Sequence, residues 1–182
     1  MEDEGSAKHD YVDGFCSRCK EEEPSAGLLF TKQGKGYRVS GYEGEATRVV
    51  IPSLYEGYPV DEIGYGAFRS CATLTEVVIP SSVVSVGGRA FESCAALSEI
   101  TLPESISYLG QYAFFNCDAL TEIVIPESVT SIGNNAFSSC GKLTSIKFNG
   151  TVEQWNSITK GSSWNLYVPA TKVICTDGEV TL

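Results

Sequence analysis

Apolar and polar positions recur along this chain with a fixed period. One segment occurs four times: leucine, a small polar residue, glutamate or serine, and then alternating isoleucine or valine. The copies begin at Leu74, Leu97, Leu120 and Leu143, each 23 residues after the one before. Self-similarity at a period of roughly 20–29 residues, with Leu or Ile at fixed offsets around a short strand, is typical of a solenoid of stacked repeats. We therefore predict repeats over residues 47–148.

Within one unit the alternation predicts which side chains face the core. Leu97, Ile100 and Leu102 should point inward, and Glu99 and Thr101 outward. Proline after three of the strands has no N–H for the ladder and should end them. The predicted fold is a mainly β solenoid, a right-handed stack with a parallel sheet on one face, short strands and 3-10 or helical turns on the other, and a cap at each end. The glycines at 64, 87, 110 and 133 recur at a predicted turn, where we expect positive φ.

The segments that flank the repeats have their own patterns. Residues 28–46 predict a β-hairpin cap with its turn around Gly34 and Gly36. The first repeat carries five extra residues, which we interpret as a surface loop that brings Tyr55 and Tyr58 to the surface. Residues 149–182 predict a C-terminal cap made of a short amphipathic helix, a loop and one last strand.

Four of the seven cysteines also follow the repeat. Cys71, Cys94, Cys117 and Cys140 lie 23 residues apart, one in each unit. Equivalent positions in stacked strands are about 4.7–4.9 Å apart, whereas a disulfide needs Cβ atoms about 3.5–4.5 Å apart and a specific torsion. A small buried hydrophobe suits such a ladder better. We interpret these four as structural thiols.

The polar segment 1–27 contains a CxxC pair, Cys16 and Cys19, preceded by His9. Such a pair is half of a tetrahedral zinc site, and His9 is a candidate third ligand. A local disulfide and two free thiols are the other interpretations. We expect no cofactor, with zinc at the CxxC as the alternative.

The net charge and the hydropathy argue against two classes of protein, those that bind nucleic acid and those that span a membrane. A formal charge of −10 is the opposite of the basic footprint of a nucleic-acid-binding protein. No apolar run approaches the roughly 18–20 residues of a membrane span. The first residues, Met1–Ser6, have no basic or apolar signal region. We expect either a mature fragment of a longer protein or a cytoplasmic protein.

Catalysis has little support in the residues. The single histidine, His9, lies in the polar segment, which argues against Ser-His-Asp and Cys-His arrangements. Repeated exposed glutamates also lack the separated environments that acid–base pairs need. We predict that the protein is not an enzyme.

The repeat resembles a known family. Its clearest copy, residues 125–140, reads Ile-Pro-Glu-Ser-Val-Thr-Ser-Ile-Gly-Asn-Asn-Ala-Phe-Ser-Ser-Cys and is followed by Leu-Thr two residues later. This pattern resembles the BspA-like leucine-rich repeats, also called the Treponema pallidum type. The segment 11–19 and the tail 150–178 are similar to parts of such proteins in gut Firmicutes. The resemblance implies a surface or secreted bacterial protein, in some relatives an adhesin for host matrix proteins or other bacteria, and implies no enzyme.

The predicted outer face of the sheet is the candidate binding surface. Parallel, in-register strands would stack Glu76, Glu99 and Glu122 into an electronegative stripe for a basic protein partner. The stripe would be flanked by Val78, Thr101, Val124, Ser145 and Lys147. The loops beside the sheet would also contact the partner, through Tyr55 and Tyr58. We expect a monomer that binds a host matrix protein or another surface protein.

Two other functions stay open. One is a passive spacer in a longer surface protein. The other is carbohydrate binding, in which Trp155 and Trp164, with Tyr55 and Tyr58, stack on sugars. The alternative for the two tryptophans, which we favour, is that they close the end of the core.

Overall fold

The computed structural model describes residues 22–182, together with the backbone of Tyr11–Val12 and Phe15–Cys16. Its elements are seventeen short strands and one helix. In chain order the strands are β1 Tyr11–Val12, β2 Phe15–Cys16, β3 Leu28–Gln33, β4 Gly36–Tyr42, β5 Arg48–Val50, β6 Leu54–Tyr55, β7 Tyr58–Ile63, β8 Glu76–Val78, β9 Ser85–Val86, β10 Glu99–Thr101, β11 Tyr108–Leu109, β12 Glu122–Ile125, β13 Ser131–Ile132, β14 Ser145–Phe148, β15 Thr159–Lys160, β16 Lys172–Ile174 and β17 Glu179–Thr181. The helix α1 is Val152–Ser157.

One face of the stack carries the repeated strands of the Leu-Thr-Glu segments. β5, β8 and β10 pair in parallel, so that Arg48, Glu76 and Glu99 stand in register. Further along, β12, β14 and β16 also pair in parallel, and β17 closes their edge antiparallel to β16. The predicted solenoid of stacked parallel strands is confirmed.

A second face carries the shorter strands. β7, β9, β11, β13 and β15 pair in parallel in that order, one from each turn of the stack. The β3–β4 hairpin joins this sheet at its N-terminal side, because β4 pairs with β7. The five-residue insertion was expected to be a loop, but it forms strand β6, which folds back antiparallel onto β7. The reason is the turn at Glu56 and Gly57, where φ is 51° and 78°, because two central residues with positive φ favour a tight β-hairpin.

The turns between the two faces form a third column of hydrogen bonds, which we name the turn column. The N–H groups of Arg89, Phe91 and Ser93 donate to carbonyls of the next rung, and the corresponding groups of the other rungs repeat the arrangement. The backbone is left-handed at Arg89 and Ser93, with φ of 57° and 61°. Alternate peptide groups therefore bond within the turn and between rungs, which satisfies the polar backbone of a segment that lies against the core.

The repeated glycines are required for a different reason than the sequence indicated. None of Gly64, Gly87, Gly110 and Gly133 has positive φ, so the expected reason is wrong. A Cβ on Gly87 would lie 2.8 Å from the carbonyl carbon of Gly64, and one on Gly133 would lie 2.6 Å from that of Gly110. Each glycine is needed because the backbone of the preceding rung passes where a side chain would be. In the N-terminal hairpin, Gly34 does have positive φ, as expected, whereas Gly36 does not.

A column of stacked aromatic rings fills the core. Phe68, Phe91, Phe114 and Phe137 are fully buried, and each ring stacks on the next with centroids 5.2 Å apart. Trp164 meets the last of these rings edge-on. Burying rings of this size contributes roughly 1.5–3 kcal/mol each, so the column is a major source of stability between rungs.

The C-terminal segment closes the core. Trp155 and Trp164 are 2% and 8% exposed and pack against each other edge to face. The hypothesis that they stack on sugars is therefore wrong, because their faces are covered by protein. Helix α1 begins at a complete capping box in which Thr151 accepts from the Gln154 N–H and the Gln154 side chain accepts from the Thr151 N–H. Where one last strand was expected, three are present, β15, β16 and β17.

None of the helices that the structure describes is long and apolar enough to cross a membrane.

Candidate binding face of the sheet

The outer face of β5, β8 and β10 carries a row of charged side chains. Glu76 stands directly beside Glu99 on the next strand and beside Arg48 on the previous one. Arg48 bridges two carboxylates, with Nη1 2.6 Å from Glu22 and Nε 3.0 Å from Glu76. The guanidinium holds the pKa of Glu22 below its usual value through this hydrogen bond. Glu76 is therefore already paired with a cation.

Glu122 is paired as well, on the other part of the face. Lys147 on the neighbouring strand places Nζ 2.7 Å from the Glu122 carboxylate, and the Ser145 hydroxyl donates to it at 2.9 Å. These two hydrogen bonds lower the pKa of Glu122, with the Lys147 bond contributing most. The side chains of Glu122 and Lys147 are both 45% exposed, so solvent screens the pair and its contribution to stability is small.

Glu99 differs from the other two glutamates. It is exposed, and no Lys, Arg or His side chain of the described residues lies within salt-bridge distance of its carboxylate. Its neighbour in register is the like-charged Glu76. Among the described residues, Glu99 is thus the one glutamate of the row without a cationic partner.

The expected continuous stripe of three glutamates is interrupted. β10 and β12 do not pair, so this face consists of a three-stranded and a four-stranded sheet. Ile100, the inward residue of β10, is only partly buried, whereas Val77 and Ile123 in the neighbouring rungs are 2% and 1% exposed. Ile100 packs against the core without being enclosed by it, and the break in the ladder falls at this strand.

A groove of about 200 Å³ runs over β8 and β10. Its lining residues are Glu76, Val77, Val78, Ile79, Glu99, Ile100 and Thr101. Thr101 is exposed and Val78 half-buried, and they stand side by side in register. The groove thus combines carboxylates on one side with a methyl-bearing surface on the other.

The remaining predicted residues divide between two places. Val124 and Lys147 stand side by side on β12 and β14, on the far side of the interruption. Tyr55 and Tyr58 lie elsewhere, in the β6–β7 hairpin, which belongs to the second face. There the Tyr55 ring stacks on Phe30 at 4.1 Å, and Lys32 places Nζ 4.2 Å from the Tyr58 ring centroid. The structure therefore does not bring these tyrosines to the sheet face.

The repeated cysteines line the turn side of the core as free thiols. The Sγ atoms of Cys94, Cys117 and Cys140 donate to the carbonyls of Phe68, Phe91 and Phe114, at 2.9, 3.2 and 3.0 Å. These three thiols are buried and Cys71 is half-buried. Burial raises the pKa of Cys94 to about 12. The Cys94 thiol is therefore protonated at neutral pH and already donates to the backbone, which makes it a poor nucleophile and a poor metal ligand.

Metal ligands were predicted in the N-terminal segment. Of the three candidates, His9 and Cys19 lie outside the described residues, and of Cys16 only the backbone is described. Within the part of the chain that the structure describes, no group of three His, Cys, Asp or Glu side chains is placed to hold a metal ion.

One cluster on the turn column was missed by the sequence reading. We name it the arginine–tyrosine patch: Tyr65, Arg69, Arg89, Glu92, Tyr112 and Phe115. The corresponding residues of the next rung are Asn134, Asn135 and Ser138, so no repeated pattern marks the patch. The only signal for it was the departure of these positions from the repeat.

Comparison with known proteins relates this geometry to a family. The BspA type leucine-rich repeat region matches residues 47–163 in six copies, which is more than half of the chain and extends past the predicted end of the repeats at residue 148. No curated protein matches the chain.

Solved structures show the same fold. A leucine-rich repeat protein of T. pallidum is 32% identical with a TM-score of 0.75, over 84% of this chain and 71% of that one. A leucine-rich cell surface protein of Faecalibacterium prausnitzii is 31% identical with a TM-score of 0.59, over 75% of this chain and 41% of its own length. The pneumococcal vaccine antigen PcpA, at 20% identity and a TM-score of 0.65, shares the fold over 83% of this chain and 35% of its own length.

The period, the stacked parallel strands, the family match and the 32% identity to a solved relative agree, and the chain belongs to the BspA-type leucine-rich repeat family.

Proposed function

We propose that this chain is a non-enzymatic protein-binding module of a bacterial surface or secreted protein, and that it binds a basic segment of its partner on the outer face of β8 and β10. A leucine-rich repeat is in general a protein-interaction fold. The Faecalibacterium relative is described as a cell surface protein, which supports the proposed location.

The observation that carries the proposal is the Glu99 carboxylate at the edge of the groove, which no cation of the described residues reaches. A lysine or arginine of the partner would pair with the Glu99 carboxylate, which is exposed at the edge of the groove. Arg48 already pairs with Glu76, and Lys147 already pairs with Glu122. The partner's cation is therefore expected at Glu99, between these two ion pairs.

The apolar side of the groove supports an extended partner segment. Val78 and Thr101 offer methyl groups beside the carboxylates, so a basic side chain and an apolar one two residues apart would both find contacts. The edge of β16 is covered by β17, which favours recognition through the face rather than by strand addition at this edge.

A solid-phase binding screen against host matrix proteins and bacterial surface proteins tests the proposal. The wild type is compared with Glu99→Lys and with the matched control Glu153→Lys, which makes the same charge change on the exposed side of α1. We expect Glu99→Lys to weaken binding at least tenfold and the control to leave it unchanged. Binding that survives Glu99→Lys contradicts the sheet face, and no binding by the wild type favours the passive spacer.

A further inference from the structure

We infer a second interaction surface, the arginine–tyrosine patch, which binds an acidic segment of a protein partner. It lies on the turn column and uses no residue of the sheet face. The proposed function and this inference can therefore fail independently.

The patch is a continuous surface across three rungs. The Tyr65 ring lies over Gly88, and a Cβ placed on Gly88 would be 3.3 Å from Cδ2 of Tyr65. The Arg89 guanidinium carbon is 4.7 Å from the Tyr112 ring centroid, within the range of cation–π attraction. Tyr112 in turn meets Phe115 edge to face at 5.4 Å. Aromatic rings thus hold the arginine in place on the surface.

One carboxylate serves two guanidinium groups at the centre of the patch. Arg89 Nη1 is 2.9 Å from both oxygens of Glu92, and Arg69 Nε is 2.9 Å from Oε2. The Glu92 side chain is only 10% exposed, whereas that of Arg69 is 54% exposed. The cluster therefore keeps one net positive charge, with N–H donors of both arginines left over, on a chain whose net charge is −10.

This arrangement fits a carboxylate with an apolar neighbour. Arginine pairs with carboxylates through two parallel hydrogen bonds, and here the guanidinium groups are already oriented by Glu92. Tyr65 is 62% exposed and offers its ring face beside them. Tyrosine and arginine are the residue types that most often dominate binding energy in protein interfaces. The chain as a whole carries a net charge of −10, so an acidic partner is repelled elsewhere, which gives specificity.

The test uses the whole chain labelled with ¹⁵N and two short peptides. The probe is acetyl-Gly-Asp-Leu-Asp-Leu-Gly-amide, and the control peptide has Asn in place of both Asp residues. We expect the acidic probe to shift the Nε–Hε signals of Arg69 and Arg89 in a saturable way. Shifts confined to the sheet face, or equal shifts with the control peptide, overturn the inference.

Variants separate the patch from the net charge of the chain. Arg69→Gln removes an exposed guanidinium and leaves Glu92 paired with Arg89, so the fold is retained. It is expected to weaken probe binding at least tenfold, and Tyr65→Ser at least threefold. Arg48→Gln loses the same charge on the sheet face and is expected to leave affinity unchanged. An equal loss with Arg48→Gln, or binding of polygalacturonate without binding of the peptide, contradicts an acidic protein segment as the ligand.

Discussion

The α-carbon of Gly110 lies against the backbone of Gly87, so close that a Cβ on Gly110 would sit 2.5 Å from the Gly87 carbonyl carbon. The contact recurs from rung to rung because the backbone enters each turn at the same place. It sets how closely the rungs stack at the corner between the second sheet and the turn column. These positions require glycine because there is no room for a Cβ atom, and not because the backbone has positive φ.

Gly110→Ala is therefore expected to lower the free energy of unfolding by roughly 1–3 kcal/mol, the usual cost of overpacking. Urea denaturation followed by circular dichroism measures it. The control is Gly141→Ala, where the nearest atom would be Asp118 Oδ1 at 3.6 Å, an ordinary contact. Equal effects of the two substitutions would contradict the close approach as the cause.

The buried thiol of Cys94 predicts a loss of stability in alkali. Burial raises its pKa from 9.0 to about 12, so between these values the unfolded state loses a proton that the folded state keeps. The free energy of unfolding should then fall as pH rises, by about 1.4 kcal/mol per pH unit for this group. Urea denaturation at pH 8.5 to 10.5 should show a shallower decline in Cys94→Ala than in the wild type. Identical slopes would show that this thiol ionises equally in both states.

The left-handed backbone at Tyr167 predicts a stabilising substitution. Its φ is 61° and its side chain is 76% exposed, so the residue bears steric strain with few contacts to compensate. Tyr167→Gly should raise the free energy of unfolding by roughly 0.5–1 kcal/mol. Tyr108→Gly, at an exposed tyrosine within strand β11, should lower it by a similar amount. Thermal unfolding distinguishes the two signs, and a loss in both would contradict the strain at Tyr167.

The capping box of α1 predicts a local effect at the C-terminal end. Thr151→Ala removes the acceptor for the Gln154 N–H and should cost about 1 kcal/mol. Hydrogen exchange should accelerate most at the amides of α1, because the helix is only six residues long. Thr171→Ala, at an exposed threonine outside the helix, is the control and should leave those amides protected. Uniform acceleration over the whole chain would mean that α1 opens only with global unfolding.

The inward residues of the repeats were predictable because they are copied. Leu97, Leu120 and Leu143 are all fully buried, as the alternation indicated. Fixed offsets identify such positions, since each rung must fill the same space. The free thiols of the repeated cysteines follow the same regularity.

Features that belong to a single rung could not be read from the repeat. The partial burial of Ile100 and the interruption after β10 arise in a unit whose sequence keeps the apolar pattern. The pairing of Arg48 with Glu76 depends on the register of two strands that are 28 residues apart in the chain. The arginine–tyrosine patch consists of positions that differ between units, and a search for recurrence passes over them.

The peptide groups of the turn column are aligned, so their dipoles add along the solenoid axis. In each rung three N–H groups point toward the C-terminal end of the stack and three carbonyls point toward the N-terminal end. A peptide unit carries a dipole of about 3.5 D, and here the units line up along the solenoid axis. The column therefore acts as an extended dipole with its positive pole at the C-terminal end, opposite in sense to an α-helix. Every rung added to such an array lengthens the dipole, and the final turn presents the N–H groups of Ser163, Asn165 and Tyr167 at its positive end.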